Sequence, residues 1–281
     1  MSGVLSTAYL NGEFLPLAQA RISPLDRGFL FGDAVYEVIP FFDGEPLLLD
    51  AHVQRLERNL AAMQISNPLE TAQWNALINE LASRNGSGTL AIYIQVSRGA
   101  DTGRDHVFPE GVAPTVFAMA NELPAMEYET GAKAITLPDN RWGRCDIKAT
   151  ALLANVLARQ SAREAGAIDA ILIWDGVVTE GAVSSVIIVE NGELIRRPAG
   201  PEVLPGTTTE YVFTLATELG LSCRDELISE SRLRSADEIW LTGATKGIAP
   251  VVSLDGRMVG NGMPGPIWQK VQKAFGFQQR G

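Results

Sequence analysis

The sequence predicts an α+β protein made of two halves, and three features support this. Both halves of the 281 residues mix strand-like and one-faced helical segments, without the regular alternation of a βαβ array. The chain is longer than one small core needs. A polar stretch containing a proline interrupts the pattern, so we predict a first domain over 1–120, a linker over 121–131 and a second domain over 132–281.

Hydrophobic periodicity defines the elements of the first half. The apolar run at 35–42 predicts a strand, and residues 90–97 alternate between apolar and small or polar side chains, as a half-buried strand does. A further strand is predicted at 115–120. Two helices are predicted between the first two strands. Their apolar positions are Val53, Leu56, Leu60 and Met63 in one and Trp74, Leu77, Ile78 and Leu81 in the other.

Turn signals and periodicity together define the second half. Asp175-Gly176 and Asn191-Gly192 are strong hairpin signals because both residues of such pairs tolerate positive φ. Gly220 is predicted to end a helix. The predicted elements are a helix marked by apolar residues at 152–157, strands at 168–174, 186–189 and 194–195, a helix over 212–219 and a last strand at 238–241.

Composition excludes several classes of function. A net charge of −10 argues against a nucleic acid or an anionic membrane as partner. Two cysteines and two histidines argue against a disulfide framework and a histidine-rich metal site, so no metal is predicted. The beginning of the chain lacks the pattern of a signal peptide, and no apolar stretch reaches the roughly 18 residues of a bilayer span. We therefore expect a cytoplasmic protein.

Two charged residues stand beside apolar elements. Lys148 precedes an apolar helix, where most lysines are solvated, although a partly desolvated amine there can condense with an aldehyde. Glu180 follows a turn and precedes an apolar strand. It is either a solvated carboxylate or a partner that keeps a pyridine nitrogen protonated.

Several segments have the composition of anion-binding sites. Gly206 is followed by three threonines and Glu210, which has capping-box spacing with Thr207. A helix start of this kind also provides N–H groups for a phosphate, and residues 242–245 offer a second set. Arg55 suits a phosphate if it turns inward. Arg104 and His106 belong either to a polar surface loop or to a carboxylate trap, because residues two apart in an extended loop point the same way.

Together these segments resemble the class IV aminotransferase family. The resemblance runs nearly end to end and includes LDRGFLFGDAVYEV, RWGRCDIKATALLANVLARQ, VVTEGAVSSVIIV, LPGTTTEYV and EIWLTGATKG. It implies the two-domain fold of fold-type IV enzymes, with pyridoxal 5′-phosphate bound at the domain interface. It also implies a homodimer.

The resemblance assigns roles to individual residues. It implies that Lys148 is the Schiff-base lysine and proton carrier, that Glu180 faces the pyridine nitrogen and that Tyr36 lies beside cofactor and substrate. Leu204 is expected to pack on the ring. The phosphate is expected to be held by Arg55, Thr208 and the amides around Thr207, Ala244 and Thr245.

The pair Arg104 and His106 points to one branch of the family. Its spacing resembles the carboxylate trap of members that act on D-amino acids, in which the loop comes from the neighbouring subunit and works with Tyr36. This implies transfer of an amino group from D-alanine to 2-oxoglutarate, giving pyruvate and D-glutamate. The chain departs from the pattern at Gly243 and Ala244, where relatives often have hydroxyl groups, and at Ser185, which replaces a frequent asparagine.

Four alternatives remain open from the sequence. A branched-chain L-amino acid aminotransferase and a 4-amino-4-deoxychorismate lyase share the implied fold and cofactor, and the lyase eliminates pyruvate instead of transferring an amino group. A catalytically silent protein that binds pyridoxal phosphate and a cofactor-free binding domain are the other two. A substrate panel separates the enzymes, since the lyase would not couple D-alanine to 2-oxoglutarate.

Overall fold

The computed structural model describes residues 3–86, 88–124 and 128–276. Up to residue 124 the elements are β1 (Val4–Leu10), β2 (Glu13–Pro16), a short 3-10 helix (Leu17–Gln19), α1 (Arg27–Phe31), β3 (Ala34–Phe42), β4 (Glu45–Pro46), α2 (Leu49–Ala62), α3 (Thr71–Arg84), β5 (Leu90–Ser97) and β6 (Thr115–Glu122). From residue 128 they are β7 (Ala132–Pro138), α4 (Leu153–Glu164), β8 (Asp169–Trp174), β9 (Val177–Gly181), β10 (Ser185–Glu190), β11 (Glu193–Arg196), α5 (Thr207–Glu218), β12 (Cys223–Asp225), α6 (Glu230–Ser235), β13 (Glu238–Gly243), β14 (Gly247–Leu254), β15 (Arg257–Met258) and α7 (Pro266–Phe275).

The chain divides into two compact units. The first contains the described residues up to Pro124 together with Ile147–Ala151, and the second contains the other described residues. This division differs from the predicted one in two respects. Strand β6 extends into the predicted linker, and Lys148, expected in the second domain, belongs to the first unit. The middle of the predicted linker, residues 125–127, lies outside the described residues.

The first unit is built on a six-stranded antiparallel sheet. Its strand order is β2-β1-β6-β5-β3-β4, and β3 pairs with β5 from Ala34–Ser97 to Phe41–Leu90. The predicted strands and both predicted helices are confirmed. Helices α2 and α3 contribute their apolar positions to one buried cluster with strand residues that include Ile39, Ile92 and Ile94.

The second unit contains a nine-stranded mixed sheet. Eight strands follow the order β12-β11-β10-β13-β14-β7-β8-β9, and β15 pairs with β14. Strand β7 runs parallel to β14 and β8, and β12 runs parallel to β11. Both predicted hairpin turns are confirmed, since Asp175, Gly176, Asn191 and Gly192 all have positive φ.

Residues 238–241 form a strand as predicted, within β13, but the prediction that this strand is the last one is wrong, because β14 and β15 follow it. A proline within an apolar run argues against a central strand, since proline has no N–H to donate. Pro250 is tolerated here because of its position in β14. It pairs with Trp240 of β13, whereas the pairing of β14 with β7 begins one residue later, at Val251.

Glu238 joins β13 to the start of α7. Its carboxylate accepts hydrogen bonds from the backbone N of Ile267 and of Trp268, both at 2.9 Å, and from Nε1 of Trp240 at 3.0 Å. The residue before α7 is Gly265, and a Cβ at that position would overlap the Glu238 side chain. A buried side chain from another element therefore caps this helix.

Replacing Glu238 by alanine is expected to lower the free energy of unfolding by about 2–3 kcal/mol, because the helix loses its cap and buried N–H groups lose their acceptors. Urea unfolding followed by circular dichroism measures this loss. Glu218→Ala is the matched control, since Glu218 is exposed at the end of α5. Equal losses in the two variants would contradict the capping role.

None of the described helices has the length and apolar composition that a bilayer span needs.

Candidate active site

Lys148 lies in a segment that runs beside β3. Tyr36 N donates to Lys148 O at 3.0 Å, Thr150 N donates to Ala34 O at 3.0 Å, and Ala149 forms an isolated bridge with Val35. Ile147 and Ala149 on either side of Lys148 belong to the core cluster of the first unit. This strand-like pairing is the physical reason why Lys148 belongs to the first unit. Because successive side chains of an extended segment point to opposite sides, the Lys148 side chain points away from that core.

The structure brings together Lys148 and Tyr36. Lys148 Nζ lies 4.2 Å from the centroid of the Tyr36 ring, a distance at which an ammonium interacts with an aromatic face. The Tyr36 ring lies 5.7 Å from that of Tyr93, whose hydroxyl donates to Gln95 Oε1 at 2.8 Å. Burial, with a smaller effect of Tyr36, raises the pKa of Tyr93 to about 12. Tyr93 is therefore a neutral support for the Tyr36 ring.

Arg55 is held by Glu37, the residue after Tyr36 on β3. Its Nε and Nη2 donate to the two carboxylate oxygens at 2.7 and 2.9 Å, and His52 Nδ1 lies 2.8 Å from Glu37 Oε2. All three side chains are buried. Because successive residues of a strand face opposite sides, Glu37 lies on the face of β3 opposite Tyr36. Arg55 is thus turned inward, and its role toward a phosphate stays a prediction.

The Glu37 cluster makes stability depend on pH. Burial alone would raise the pKa of the Glu37 carboxyl, but the charge and hydrogen bonds of Arg55, with those of His52, hold this pKa far below its ordinary 4.5. A carboxyl whose pKa is lowered by folding stabilises the folded state above its unfolded pKa, and this contribution is lost as the pH falls toward the folded pKa. We therefore expect the free energy of unfolding to decrease steadily below about pH 4.5.

Urea unfolding at about pH 7 and about pH 3 tests this expectation. The decrease should be smaller in Glu37→Gln, which has no carboxyl to titrate, than in the wild type. The exposed Glu45, replaced in the same way, provides the control and should leave the decrease unchanged. The same decrease in Glu37→Gln as in the wild type would show that this cluster does not cause it.

Arg104 and His106 lie in the loop between β5 and β6. The Arg104 guanidinium carbon is 4.9 Å from the centroid of the Phe31 ring, and the His106 ring is 5.1 Å from it. These distances place both side chains beside the same aromatic ring. Both side chains are exposed. The carboxylate of Asp105, between them, accepts a hydrogen bond from Val107 N at 3.2 Å.

Glu180 lies in β9 of the second unit and is paired with Arg141. Nη1 of Arg141 donates to Glu180 Oε1, and its Nε and Nη2 donate to Asp139 at 2.9 and 2.7 Å. Thr179 Oγ1 donates to the same aspartate at 2.6 Å. Burial would lower the pKa of Arg141, but Asp139 and Glu180 raise it, so this guanidinium is a permanent cation beside Glu180.

The sequence analysis missed Arg141. It shares the segment RWGRC with Arg144, and nothing in the local sequence separates the two arginines. In the structure Arg144 is exposed and pairs with Asp146, whereas the side chain of Arg141 is only 5% exposed. Its ion pair with Glu180, far along the chain, makes it a candidate for the same site as Glu180.

Glu180 is also joined to the segment that leads into α5. Leu204 N donates to Glu180 Oε2 at 3.1 Å, and α5 begins three residues later, at Thr207. The N-cap residue is Gly206, so the predicted capping box between Thr207 and Glu210 is wrong. The helix starts one residue earlier than that box requires, and Glu210 pairs with Arg196 instead, at 2.9 Å.

The start of α5 is enclosed by hydroxyl groups. A Cβ at Gly206 would lie 2.7 Å from Ser185 Oγ and 2.8 Å from Thr209 Oγ1. Thr209 Oγ1 lies 2.7 Å from Thr242 Oγ1, which ties the helix to β13. Thr207 and Thr208, two predicted phosphate ligands, are buried in the first turn. First-turn N–H groups and hydroxyls of this kind form a seat for an anion.

Ala244 and Thr245 lie in the turn between β13 and β14, which a neighbouring lysine fixes. Lys246 Nζ forms an ion pair with the fully buried Asp169 at 2.6 Å, and Ser184 Oγ donates to the same carboxylate oxygen at 2.7 Å. Burial lowers the pKa of Lys246 despite the charge of Asp169. Lys246 is a second residue that the sequence analysis did not single out.

Each unit contains groups whose chemistry suits part of pyridoxal 5′-phosphate. In the second unit, Glu180 offers a carboxylate for a protonated ring nitrogen, and the start of α5 offers N–H groups and hydroxyls for a phosphate. In the first unit, Lys148 offers an amine for an aldehyde. Within the described ranges, no group of three or more histidine, cysteine, aspartate or glutamate side chains is arranged to hold a metal ion.

Comparison with known proteins agrees with this chemistry. The model of the class IV amino-transferase family matches residues 34–254. The D-alanine aminotransferase of Bacillus licheniformis is 37% identical over 94% of each chain, and that of Staphylococcus haemolyticus is 33% identical over 96% of this chain and 97% of its own. A crystal structure of a T.th. branched-chain amino acid aminotransferase with pyridoxamine 5′-phosphate is similar with a TM-score of 0.89 and 25% identity, over 96% of this chain and 93% of that one.

Proposed function

The chain belongs to the class IV aminotransferase family, and from this premise we propose that it transfers the amino group of D-alanine to 2-oxoglutarate, forming pyruvate and D-glutamate. The observation that carries the choice of substrate is the placement of Arg104 and His106 beside one ring, where their donors can meet the same carboxylate. The relatives named above with the higher identity act, by their names, on D-alanine. The branched-chain enzyme named above has a similar fold, with a TM-score of 0.89, but its sequence identity of 25% is lower than that of the two D-alanine aminotransferases.

Pyridoxal 5′-phosphate, when bound, supplies an aldehyde that condenses with amines and a ring that withdraws electrons. We assign Lys148 Nζ to carry this group and to take the α-proton of the amino acid. An amine held beside the reacting carbon acts as a general base and then returns its proton as a general acid. Tyr36, in contact with Lys148, orients that amine.

Glu180 is proposed to accept the hydrogen bond of the ring nitrogen, with Arg141 fixing the direction of the carboxylate. Leu204 is proposed to pack on the ring, since its backbone is anchored to Glu180. For the phosphate we propose Arg55, Thr208 and the amides of Thr207, Ala244 and Thr245. The alanine and glycine of the 243–245 turn lack hydroxyls, so this turn contributes backbone donors.

We also propose that the protein is a homodimer in the cytoplasm. Leu153, Val156 and Leu157 of α4 are 74%, 59% and 61% exposed, and their spacing places them on one helix face. An apolar face left exposed is typical of a surface that associates with a second copy. In such a dimer the loop of Arg104 and His106 is proposed to serve the neighbouring subunit. Cys145 and Cys223 are both free thiols, which suits a reducing compartment.

A chiral product assay tests the proposed reaction. The purified protein, loaded with pyridoxal phosphate, is incubated with D-alanine and 2-oxoglutarate, and glutamate is separated by enantiomer. We expect D-glutamate and pyruvate in equal amounts. Turnover of L-leucine alone would favour the branched-chain alternative. Pyruvate formed from 4-amino-4-deoxychorismate without an acceptor would favour the lyase, and a coloured protein inert with every substrate would favour the silent one.

A further inference from the structure

A buried arginine of α1 binds the backbone of the loop that carries Arg104 and His106. Arg27 donates to three consecutive backbone carbonyls of this loop. Its Nη1 lies 2.6 Å from Asp105 O and 3.2 Å from Val107 O, and its Nη2 lies 3.2 Å from His106 O. These bonds fix the backbone that positions the two side chains, without using any side chain of the loop.

A second arginine and one aspartate fix Arg27 in turn. Nε of Arg27 donates to Asp33 Oδ2 at 2.8 Å, and Nε and Nη2 of Arg98 donate to the same carboxylate at 2.8 and 3.0 Å. All three side chains are buried. Burial would raise the pKa of Asp33, but the hydrogen bonds and charges of Arg98 and Arg27 keep it below its ordinary value.

Two guanidinium groups share this one carboxylate, so the buried cluster carries surplus positive charge. Backbone carbonyls compensate it. Arg98 donates to Gln64 O at 2.8 Å and to Met63 O at 2.7 Å, and Arg27 donates to the loop. A buried cation that loses its acceptors is strongly destabilising, because its charge is then left uncompensated away from water. The loop carbonyls therefore stabilise the buried arginines, and the arginines in turn fix the backbone of the loop.

The ends and the tip of the loop are fixed as well. Gly99, where the chain leaves β5, has φ of +100°, and a Cβ there would overlap the carbonyl oxygen of Ala113 at the other end of the loop. Phe108 packs on Arg98, whose guanidinium carbon lies 3.6 Å from the ring centroid. Phe31, four residues after Arg27 on α1, contacts both Arg104 and His106. Two side chains of α1 thus hold the loop: Arg27 binds the loop backbone, and Phe31 contacts the loop side chains.

We propose that Arg27 is a positioning residue for the substrate carboxylate. It holds the backbone of residues 105–107 so that Arg104 and His106 present their donors together, and it thereby favours substrates with a carboxylate over simple amines. This rests on the proposed function, in which Arg104 and His106 bind that carboxylate. Arg27 acts through the loop and touches no substrate itself.

Two readouts test the proposal in the holoenzyme. In Arg27→Met we expect KM for D-alanine to rise about ten- to a hundredfold, with kcat within about twofold, because misplaced donors weaken binding while Lys148 is untouched. Amide hydrogen exchange at residues 104–108 should become faster in the same variant. Arg27→Lys keeps the positive charge beside Asp33 but loses the planar fork. It should show a smaller rise in KM and provides a folded variant if Arg27→Met is unstable.

Arg21→Met is the matched control, since Arg21 also donates to two backbone carbonyls of the first unit, at Ala18 and Ala20. It should change neither KM nor loop exchange. Unchanged KM in both Arg27 variants would overturn the proposal, and so would unchanged exchange of the loop in Arg27→Met. A wild-type protein inactive on D-alanine would instead overturn the proposed function and this substrate with it. The exchange measurement would then still show whether Arg27 anchors the loop.

Discussion

Replacing Lys148 by alanine is expected to lower the rate of transamination by more than the loss of a general base alone would. Loss of a general base alone costs about 10²–10⁴ in rate, and this variant also loses the amine that carries the cofactor. The strand-like pairing of residues 147–151 with β3 uses only backbone atoms, so the variant should fold as the wild type does. Single-turnover kinetics with D-alanine measure the loss.

Borohydride reduction provides an independent readout. In the wild type it should fix the cofactor covalently to Lys148, as peptide mass spectrometry can show. Lys133→Ala is the control for kinetics and labelling, because Lys133 is exposed on β7. Lys246, whose amine pairs with Asp169 and whose pKa burial lowers, is the lysine to check for competing label. Label on Lys246 alone, or wild-type rates in Lys148→Ala, would contradict the assignment.

Replacing Glu180 by glutamine is expected to give the second large effect. An uncharged amide does not keep a pyridine nitrogen protonated, and removing one preorganised electrostatic partner typically costs about 10²–10³ in kcat. A glutamine has one acceptor oxygen where the carboxylate has two, so it can keep the hydrogen bond from Arg141 or the one from Leu204 N, but not both. Stopped-flow measurement of the half-reaction gives kcat for this step.

Glu202→Gln is the matched control, since Glu202 precedes the same segment and pairs with Arg197 at 3.2 Å, and its side chain is 44% exposed. It should leave kcat unchanged. If Glu180→Gln kept the wild-type kcat, the carboxylate would have no role at the ring nitrogen. Its pairing with Arg141 would then serve only to stabilise the second unit.

Local patterns were sufficient to predict much of the fold. The alternation at 90–97 and the helical spacing from Trp74 to Leu81 became β5 and α3, because burial on one face alone fixes such elements. Asn191-Gly192 predicted its turn through backbone sterics. Strand β14 was missed because Pro250 argues against a strand unless the pairing partners are known.

Less of the candidate site follows from local sequence, since many of its contacts join distant parts of the chain. Lys148 and Glu180 have neighbours in sequence that suggest a role, and Tyr36 received one only through the resemblance to the family. Arg27 and Arg141 do not, because each acts on a carbonyl or carboxylate far along the chain. The assignment of Lys148 to the first unit likewise depends on pairing with β3, which no local pattern reveals.

The most direct test of the central claim is the amino-acid half-reaction, followed through the cofactor's absorbance without any 2-oxo acid. The protein is mixed separately with D-alanine, L-alanine, L-leucine and (R)-1-phenylethylamine. We expect D-alanine alone to convert the bound cofactor rapidly to pyridoxamine 5′-phosphate. Conversion by L-leucine or by the amine, with D-alanine inert, would contradict the claim and return Arg104 and His106 to an ordinary surface loop.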